Sequence, residues 1–265
     1  MTTTLLISTY NFPKALHLCL QSITQQTVMP NEVIVAHDGS KSDTHDVIVF
    51  WRSKLACPIK HVWQEDTGFQ LATIRNKALA IATCNYIIQI DGDIIMERHF
   101  IEDHLHYAEQ GVFVCGSRSR INEAHTQRLF NGELLKLSFW RRGLTDRMNA
   151  LRCSFLTPYF YDYNHLRGCN MAYWLADIKA INGYDEQIKS YGYEDEDVQE
   201  RLKRIGKRKK FIKFMCIEYH LYHSEHPTKK NLAETRKLID KNNDIQLVRS
   251  TKGIDSHINE NNLIT

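Results

Sequence analysis

The amino-acid sequence predicts an α/β fold with a mostly parallel, doubly wound sheet. Through the first 120 residues, short apolar runs that suit strands alternate with amphipathic runs that suit helices. The strand-like runs are apolar on both faces, as expected when helices cover both sides of a parallel sheet. Hydrophobic residues form 43% and charged residues 25% of the 265 positions, which is enough apolar surface for a large buried core. We therefore expect a Rossmann-like first half.

The individual elements follow from the spacing of the apolar residues. In the first half, strands are predicted at residues 5–8, 32–36, 59–63 and 86–90, and helices at 11–25, 43–53 and 73–81. Residues 121–168 have weak periodicity and predict an irregular lobe or lid, followed by helices at 177–181 and 195–205 and a strand at 211–219. The polar, Asn-rich stretch from about Asn242 predicts a frayed tail.

Cysteine usage and hydropathy indicate the compartment. The seven cysteines have no CxxC spacing, which favours free thiols over disulfides or a structural zinc site. The N-terminus has no basic segment, and no apolar run approaches the roughly 20 residues that span a bilayer. A net charge of +3 is too small to indicate a nucleic-acid partner. We expect a cytoplasmic protein.

Two carboxylates, Asp91 and Asp93, directly follow the strand predicted at 86–90. Ligands of open parallel sheets bind at the carboxyl ends of strands, and two acids separated by Gly92 can converge on one divalent cation that also holds a diphosphate. The alternative is a tight turn, because Asp-Gly is a strong turn signal.

Asp38 ends the second predicted strand. It suits a hydrogen bond to a ribose or a base, although an Asx turn that caps the next helix is the simpler alternative. Neither GxGxxG nor GxxxxGK[ST] is present, which excludes ordinary dehydrogenases and P-loop NTPases.

Three further features have a functional and a structural interpretation each. Arg75 suits a phosphate contact or the orientation of the acids, and the structural alternative is a surface arginine on an amphipathic helix. The acids at 194–197 suit a general base, against a solvated helix start. His220, His223 and His226 suit a transition metal, against surface histidines.

Residues 201–213 hold eight basic side chains and no acid. The interpretations are a solvated surface or attraction to an anionic membrane at its inner face. Nucleic-acid binding is disfavoured because no groove-reading module is present.

The order of these segments resembles the inverting GT-A glycosyltransferases, and the second half resembles a module shared by galactosyltransferases and bacterial chondroitin-type polymerases. The resemblance covers roughly residues 4–230. The segments that carry it are 4–11, HDGS at 37–40, GFQLATIRNKAL at 68–79, IDGD at 90–93, RGCNMAYW at 167–174, INGYDE at 181–186, YGYEDED at 191–197 and YHLYH at 219–223.

The resemblance implies a role for each matching residue. The donor-binding set is Thr9, Tyr10, Asp38, Arg75 and Asp91. Asp195 would be the catalytic base, and Glu194 would bind hydroxyls of the acceptor or donor. Asp93 and His223 would hold the metal with Asp91 nearby, since Ser224 and residues 229–231 resemble the segment after the metal histidine of galactosyltransferases; His220 is the fallback. Two departures are Tyr191-Gly192-Tyr193, where the family often has Trp-Gly-Gly, and Gly92 in the middle of Asp-x-Asp.

The implied activity is metal-dependent hexosyl transfer with inversion. A hexose or N-acetylhexosamine would pass from a UDP-sugar to a hydroxyl of a glycan or lipid-linked glycan, with Mn²⁺ or Mg²⁺, in bacterial surface polysaccharide or lipid-linked glycan synthesis. Residues 1–120 would bind the nucleotide-sugar, 121–240 would form the acceptor and catalytic half, a smaller lobe, and 241–265 the polar tail. The alternative is a sugar nucleotidyltransferase, which would want a Gly-rich basic loop after the first strand, where Ser8 to Phe12 stand instead.

Overall fold

The computed structural model describes residues 1–39, 41–189, 192–224 and 232–258. Ser40, Tyr191, His226 and residues 229–231 of the sequence motifs lie outside the described residues. The strands are β1 Thr3–Thr9, β2 Glu32–Asp38, β3 Ile59–Gln64, β4 Tyr86–Asp91, β5 Ile94–Met96, β6 Val112–Gly116, β7 Arg118–Ile121, β8 Leu144–Thr145, β9 Asn170–Trp174, β10 Arg208–Ile212 and β11 Glu218–His220. The helices are α1 Pro13–Ile23, α2 Ser42–Arg52, α3 Leu71–Ala80, α4 Phe100–His106, α5 Glu123–Phe130, α6 Leu175–Ala180, α7 Glu194–Arg204 and α8 Leu232–Asp244. Short 3₁₀ helices occupy Arg147–Ala150, Ser154–Phe160 and Ile254–His257.

The larger sheet has seven strands in the order β10-β6-β9-β4-β1-β2-β3. All of its pairs are parallel except the two that β9 makes with β4 and β6. The crossover helices that parallel pairing requires are α1, α2 and α3. The strands predicted in the first half are thus present, each within two residues of its predicted ends.

The two faces of this sheet bury separate apolar clusters. Leu5 and Ile7 of β1 share one cluster with Leu20 of α1, whereas Leu6 between them shares the other with Val198 of α7. All five side chains are fully buried, and each such burial contributes about 1.5–3 kcal/mol to folding. This alternation of buried faces is why the strands are apolar at every position.

A smaller sheet lies beside the large one and has the order β5-β11-β7-β8. β11 pairs antiparallel with β5, where His220 is opposite Ile94, and parallel with β7. Because β5 begins one residue after Asp93, this pairing brings the second half of the chain to the carboxyl end of β4.

The single strand predicted at 211–219 is wrong. The chain forms β10 in the large sheet and β11 in the small one, and Phe214 and Cys216 between them have positive φ angles of 70° and 48°. Left-handed residues cannot continue a strand. The apolar run is continuous because both strands are buried, so sequence periodicity did not reveal the break.

The frayed tail predicted from Asn242 is also wrong as far as residue 258. Asn242 Nδ2 donates to carboxylate oxygens of Asp185 and Asp197 at 3.2 and 3.3 Å. Ile254 is only 1% exposed and belongs to the cluster beneath α7. These residues close one face of the sheet, although their composition is polar.

The irregular segment and the free cysteines agree with the sequence predictions. Residues 121–168 are largely irregular, as predicted, with one helix, α5, and two 3₁₀ helices. All seven cysteines are free thiols. The domain limits at residues 120 and 240 stay a prediction, and the large sheet draws β9 and β10 from beyond the first of them. Among the described helices, none is both long and apolar enough to cross a bilayer.

Candidate active site

Several predicted donor-binding residues lie at one edge of the large sheet. β1, β2 and β4 are adjacent and parallel, so Thr9, Asp38 and Asp91 end their strands at the same edge. The register pairs Ser8 with Asp91. Parallel pairing therefore brings these positions together, as expected for a binding edge of an open sheet.

Asp38 anchors the loop that follows β3. Its carboxylate accepts hydrogen bonds from Gln64 Nε2 at 2.6 Å and from the backbone N–H of Gln70 at 3.2 Å. Burial raises the pKa of this carboxyl. Tyr10 is 42% exposed and donates its hydroxyl to Asp66 at 3.0 Å. Tyr10 thus lies partly exposed near the Asp38 anchor.

Gly92 fits a close contact with the end of β1. Its backbone N–H donates to the Ser8 carbonyl at 2.7 Å. A Cβ added at Gly92 would lie 2.9 Å from both Cβ and Oγ1 of Thr9. Any side chain at this position would therefore require Thr9 to move.

Asp93 and the two histidines form a compact cluster. Asp93 Oδ2 lies 3.4 Å from His220 Nε2 and 3.2 Å from His223 Nε2. The Nδ1 of each imidazole donates to a backbone carbonyl, of Leu221 and Ser224 respectively, at 2.8 Å. Each Nε2 therefore faces the carboxylate: without a cation, Nε2 of His223 donates its proton to Asp93, and a bound cation would take the place of that proton.

This cluster fits a divalent cation. The three ligand atoms lie within 4.8 Å of one another. Within the described residues, the buried Oδ1 of Asp93 has no hydrogen-bond partner. The hydrogen bond to Asp93 raises the pKa of His223 to about 9, so the carboxylate creates a strong demand for positive charge. One carboxylate and two imidazoles suit a transition metal such as Mn²⁺ better than Mg²⁺.

His220 belongs to the cluster together with His223, whereas the sequence suggested one or the other. Asp91, the third predicted ligand, is engaged elsewhere: its Oδ1 accepts from Arg75 Nη2 at 3.1 Å. Among the described side chains, the ligand atoms that converge are those of Asp93, His220 and His223.

Arg75 joins three parts of the site. It is 1% exposed, so the surface-arginine alternative is wrong. Nε donates to Ser8 Oγ at 3.2 Å, and Nη1 and Nη2 donate to Asp195 and Asp91, each at 3.1 Å. Because these contacts occupy all three of its nitrogens, Arg75 positions the two carboxylates; direct contact with the donor stays a prediction.

Glu194 and Asp195 are the first two residues of α7, and this end of the helix lies at Arg75. The backbone before them is left-handed at Gly192 and Tyr193, with φ of 96° and 71°. Besides Arg75, Asp195 Oδ1 accepts from the Tyr184 hydroxyl at 3.4 Å. Glu194 is 6% exposed, and its Oε2 has no hydrogen-bond partner among the described residues. Burial and the nearby Asp195 raise the pKa of Glu194 to about 7.

Three residues that support Asp195 were not predicted. Gly168 packs against its carboxylate, since a Cβ there would lie 1.7 Å from Asp195 Oδ2. Gln89 donates to the Gly168 carbonyl at 2.8 Å and accepts from the Tyr184 hydroxyl at 2.7 Å. Gly168 and Tyr184 lie in the RGCN and INGYDE segments, but no local pattern shows that they meet.

Several basic side chains of residues 201–213 form ion pairs with acids of the same chain. Arg201 is fully buried and pairs with Asp197 at 2.5 Å. Four of the others pair with acids: Lys203 with Glu200, Lys207 with Asp177, and both Arg208 and Lys210 with Glu109. The interpretation as intramolecular structure is therefore favoured over a free basic patch.

Solved structures with a similar fold identify the fold class of the chain. A structure of TarS residues 1–349 from S. aureus in complex with UDP-GlcNAc matches with a TM-score of 0.65, at 16% identity over 97% of this chain and 69% of that one. This likeness confirms the predicted α/β GT-A fold of the glycosyltransferases.

The chain belongs to glycosyl transferase family 2, whose family model matches residues 4–167. A second model, the N-terminal domain of galactosyltransferase, matches residues 151–225. Both matches confirm the resemblance seen in the sequence.

Curated relatives are longer than this chain. Chondroitin synthase of Escherichia coli is 28% identical over 92% of this chain and 38% of its own length. Hyaluronan synthase of Pasteurella multocida is 27% identical over 98% of this chain and 29% of its own length. The chain thus spans less than half of either relative.

Proposed function

We propose that the chain transfers a hexose or an N-acetylhexosamine from a UDP-sugar to a hydroxyl of a glycan acceptor, with inversion at the anomeric carbon. The observation that carries the proposal is the link through Arg75, which ties Asp195 to the strand end that holds Asp91 and Asp93. Inverting transfer needs a base and a site for the leaving diphosphate at a fixed separation. The TarS complexes with UDP-GlcNAc and with UDP support UDP as the nucleotide.

Asp195 is the proposed base. Its Oδ1 is held by Arg75 and Tyr184, whereas no hydrogen bond within the described residues engages Oδ2. The carboxylate fills the space that a side chain at Gly168 would occupy, so the glycine lets Asp195 take this position. Arg75 keeps the carboxylate oriented.

Glu194 is proposed to bind sugar hydroxyls. With a pKa of about 7 it is partly protonated at neutral pH, so it can both donate and accept hydrogen bonds. Its unpartnered buried Oε2 supports this role, because a buried polar atom without a partner is costly unless a ligand satisfies it.

Asp93, His220 and His223 are the proposed metal ligands. A bound Mn²⁺ or Mg²⁺ would act as a Lewis acid that neutralises the departing diphosphate. The chain's own contribution is to fix both imidazole tautomers through Leu221 and Ser224 and to leave Asp93 Oδ1 free.

The biological setting is proposed from the relatives. Chondroitin and hyaluronan synthases support a role in bacterial polysaccharide synthesis. A lipid-linked glycan acceptor and peripheral contact with an anionic membrane have less support, because Lys203 and Lys210 of the basic run already face acids of the chain.

The test is a donor screen. The purified chain is given UDP-galactose, UDP-glucose and their N-acetylated forms, with Mn²⁺ or with a chelator, and UDP release is measured. We expect release from at least one donor, its loss on chelation, its return with Mn²⁺, and a product of inverted configuration by NMR. UDP-sugar formation from UTP and a sugar 1-phosphate, without release from any UDP-sugar, would instead support a nucleotidyltransferase.

A further inference from the structure

Two arginines, Arg118 and Arg167, lie beside Gly168 and its neighbour Cys169. Arg118 of β7 donates through Nη1 to Cys169 Sγ at 3.4 Å, and Arg167 donates through Nε to His165 Nε2 at 2.8 Å. Both arginines are only partly exposed. Within the described ranges, neither guanidinium forms an ion pair with a carboxylate.

The groups that contact these arginines do not neutralise them. Burial raises the pKa of the Cys169 thiol well above its usual range, so the thiol stays protonated. Burial, followed by the charge of Arg167, lowers the pKa of His165 to about 4, so the imidazole is neutral. The nearest acid to Arg118 on the neighbouring strand is Glu218, whose Oε1 accepts from the Cys169 thiol at 3.1 Å and forms no ion pair with Arg118 among the described residues.

The charge is not balanced at longer range either. Burial and the nearby charge of Arg118 lower the pKa of Arg167, which shows that the two cations repel each other. Arg120 is also close, but its Nε pairs with Asp146 at 3.1 Å. Asp91 attracts Arg118, yet its Oδ1 is already bound to Arg75. Two partly buried guanidinium groups therefore lie near each other, and neither is paired directly with a carboxylate among the described residues.

The location of the pair favours the acceptor over the donor. Arg167 directly precedes Gly168, and Gly168 touches the carboxylate of the proposed base, Asp195. A hydroxyl approaching Asp195 belongs to the acceptor, and Arg167 is next in the chain to the glycine that Asp195 packs against. The diphosphate of the donor is instead proposed to bind at Asp93, His220 and His223.

We infer that Arg118 and Arg167 form an anion subsite for the acceptor, which selects glycans that carry a carboxylate or a phosphate close to the accepting hydroxyl. The planar guanidinium forms paired, charge-assisted hydrogen bonds with either group. The inference rests on the proposed function and specifies the class of its acceptor.

The experiment compares matched acceptors. Oligosaccharides that end in glucuronic acid are paired with the same oligosaccharides after reduction of the carboxyl group, and oligosaccharides with a terminal phosphate are paired with their dephosphorylated forms. Binding is measured by calorimetry, with and without UDP and Mn²⁺. We expect one acidic member to bind about tenfold or more tightly than its neutral counterpart, the effect of one charge-assisted hydrogen bond. The two arms distinguish a uronate from a phosphate.

The variants are Arg167→Gln and Arg118→Gln, with Arg128→Gln as the control. Arg128 lies on α5 and pairs with the exposed Glu133, so its loss changes the charge equally without touching the site. Each subsite variant should reduce the preference for the acidic glycan to near unity with UDP affinity unchanged, which also shows that the variant is folded. The control should keep the preference.

Equal binding of acidic and neutral glycans by the wild-type chain, or no binding of any acidic glycan, would overturn the inference. A fall in UDP affinity in Arg167→Gln with the glycan preference intact would also overturn it, because the pair would then hold the diphosphate. Failure of the wild-type chain to bind UDP with Mn²⁺ would overturn the proposed function instead, and the preference measured without nucleotide would still decide the nature of the subsite.

Discussion

A methyl group added at Gly168 is expected to abolish sugar transfer while nucleotide binding survives. The new Cβ would lie 1.7 Å from Asp195 Oδ2, whereas ordinary contact begins at 3.4 Å. The carboxylate therefore has to move by about 1.7 Å, which strains its contacts with Arg75 and Tyr184. Because a misplacement of about 1 Å can cost 100-fold in rate, we expect kcat in Gly168→Ala to fall by at least about 100-fold.

Three measurements separate this effect from general damage. Overpacking typically costs about 1–3 kcal/mol, so the Tm should fall moderately. The affinity for UDP in the presence of Mn²⁺, measured by calorimetry, should stay close to that of the wild type because the substitution does not touch the Asp93 cluster. In an Asp195→Ala background the clash is absent, so the added methyl group should cost little stability, and the double-mutant cycle should be strongly non-additive.

Two results would refute this reasoning. Near wild-type transfer by Gly168→Ala would show that the position of Asp195 Oδ2 is not critical. Equal destabilisation by Gly168→Ala in the wild-type and Asp195→Ala backgrounds would show that the methyl group collides with another part of the structure.

Three further predictions concern the acids, the metal and acid stability. Asp195→Asn should abolish transfer with UDP binding retained, whereas Glu194→Gln should raise the acceptor KM more than it lowers kcat. Removing the imidazole of His223, or of His220, should weaken Mn²⁺ binding at least about tenfold, as measured by calorimetry. Burial raises the pKa of Glu32, but hydrogen bonds from Lys60, Thr4 and Thr83 outweigh this effect and lower the pKa from 4.5 to about 2. The folding stability that this shift provides is present above pH 4.5 and is lost as the pH falls through about 2. Glu32→Gln should therefore cost at most about 3 kcal/mol at pH 7 and flatten the fall of Tm in acid.

The predictions on the acids and on the metal each have a control in the chain. Glu196→Gln changes an acid in the same turn of α7, and Glu196 pairs at the surface with Arg236, so transfer should persist. His106→Ala removes an exposed histidine of α4 and should leave Mn²⁺ binding unchanged. Unimpaired transfer by Asp195→Asn, undiminished metal affinity in both histidine variants, or a Glu32→Gln protein as acid-sensitive as wild type would each contradict the corresponding assignment.

The sequence was informative where the physical cause is local. Burial on both faces makes a strand apolar at every position, and α3 and α7 are recognised by the spacing of their apolar residues. Acids at the ends of β2 and β4 are adjacent to strands that sequence alone identifies, so Asp38, Asp91 and Asp93 were predicted at the correct edge. The family was recognised because the order of segments survives where single motifs are ambiguous.

The tertiary structure decided which side chains meet. Arg75 contacts Asp91 and Asp195, which are 16 and 120 residues away in the chain, and no periodicity encodes such a partner. The structure also decided that His220 joins His223 at Asp93, because β11 is placed by its pairing with β5. The break at Phe214 and Cys216 and the packing of Ile254 arise from long-range burial, which overrides local composition. Sequence thus determined the elements and the chemistry available at their ends, and only packing determined the arrangement in which that chemistry can act.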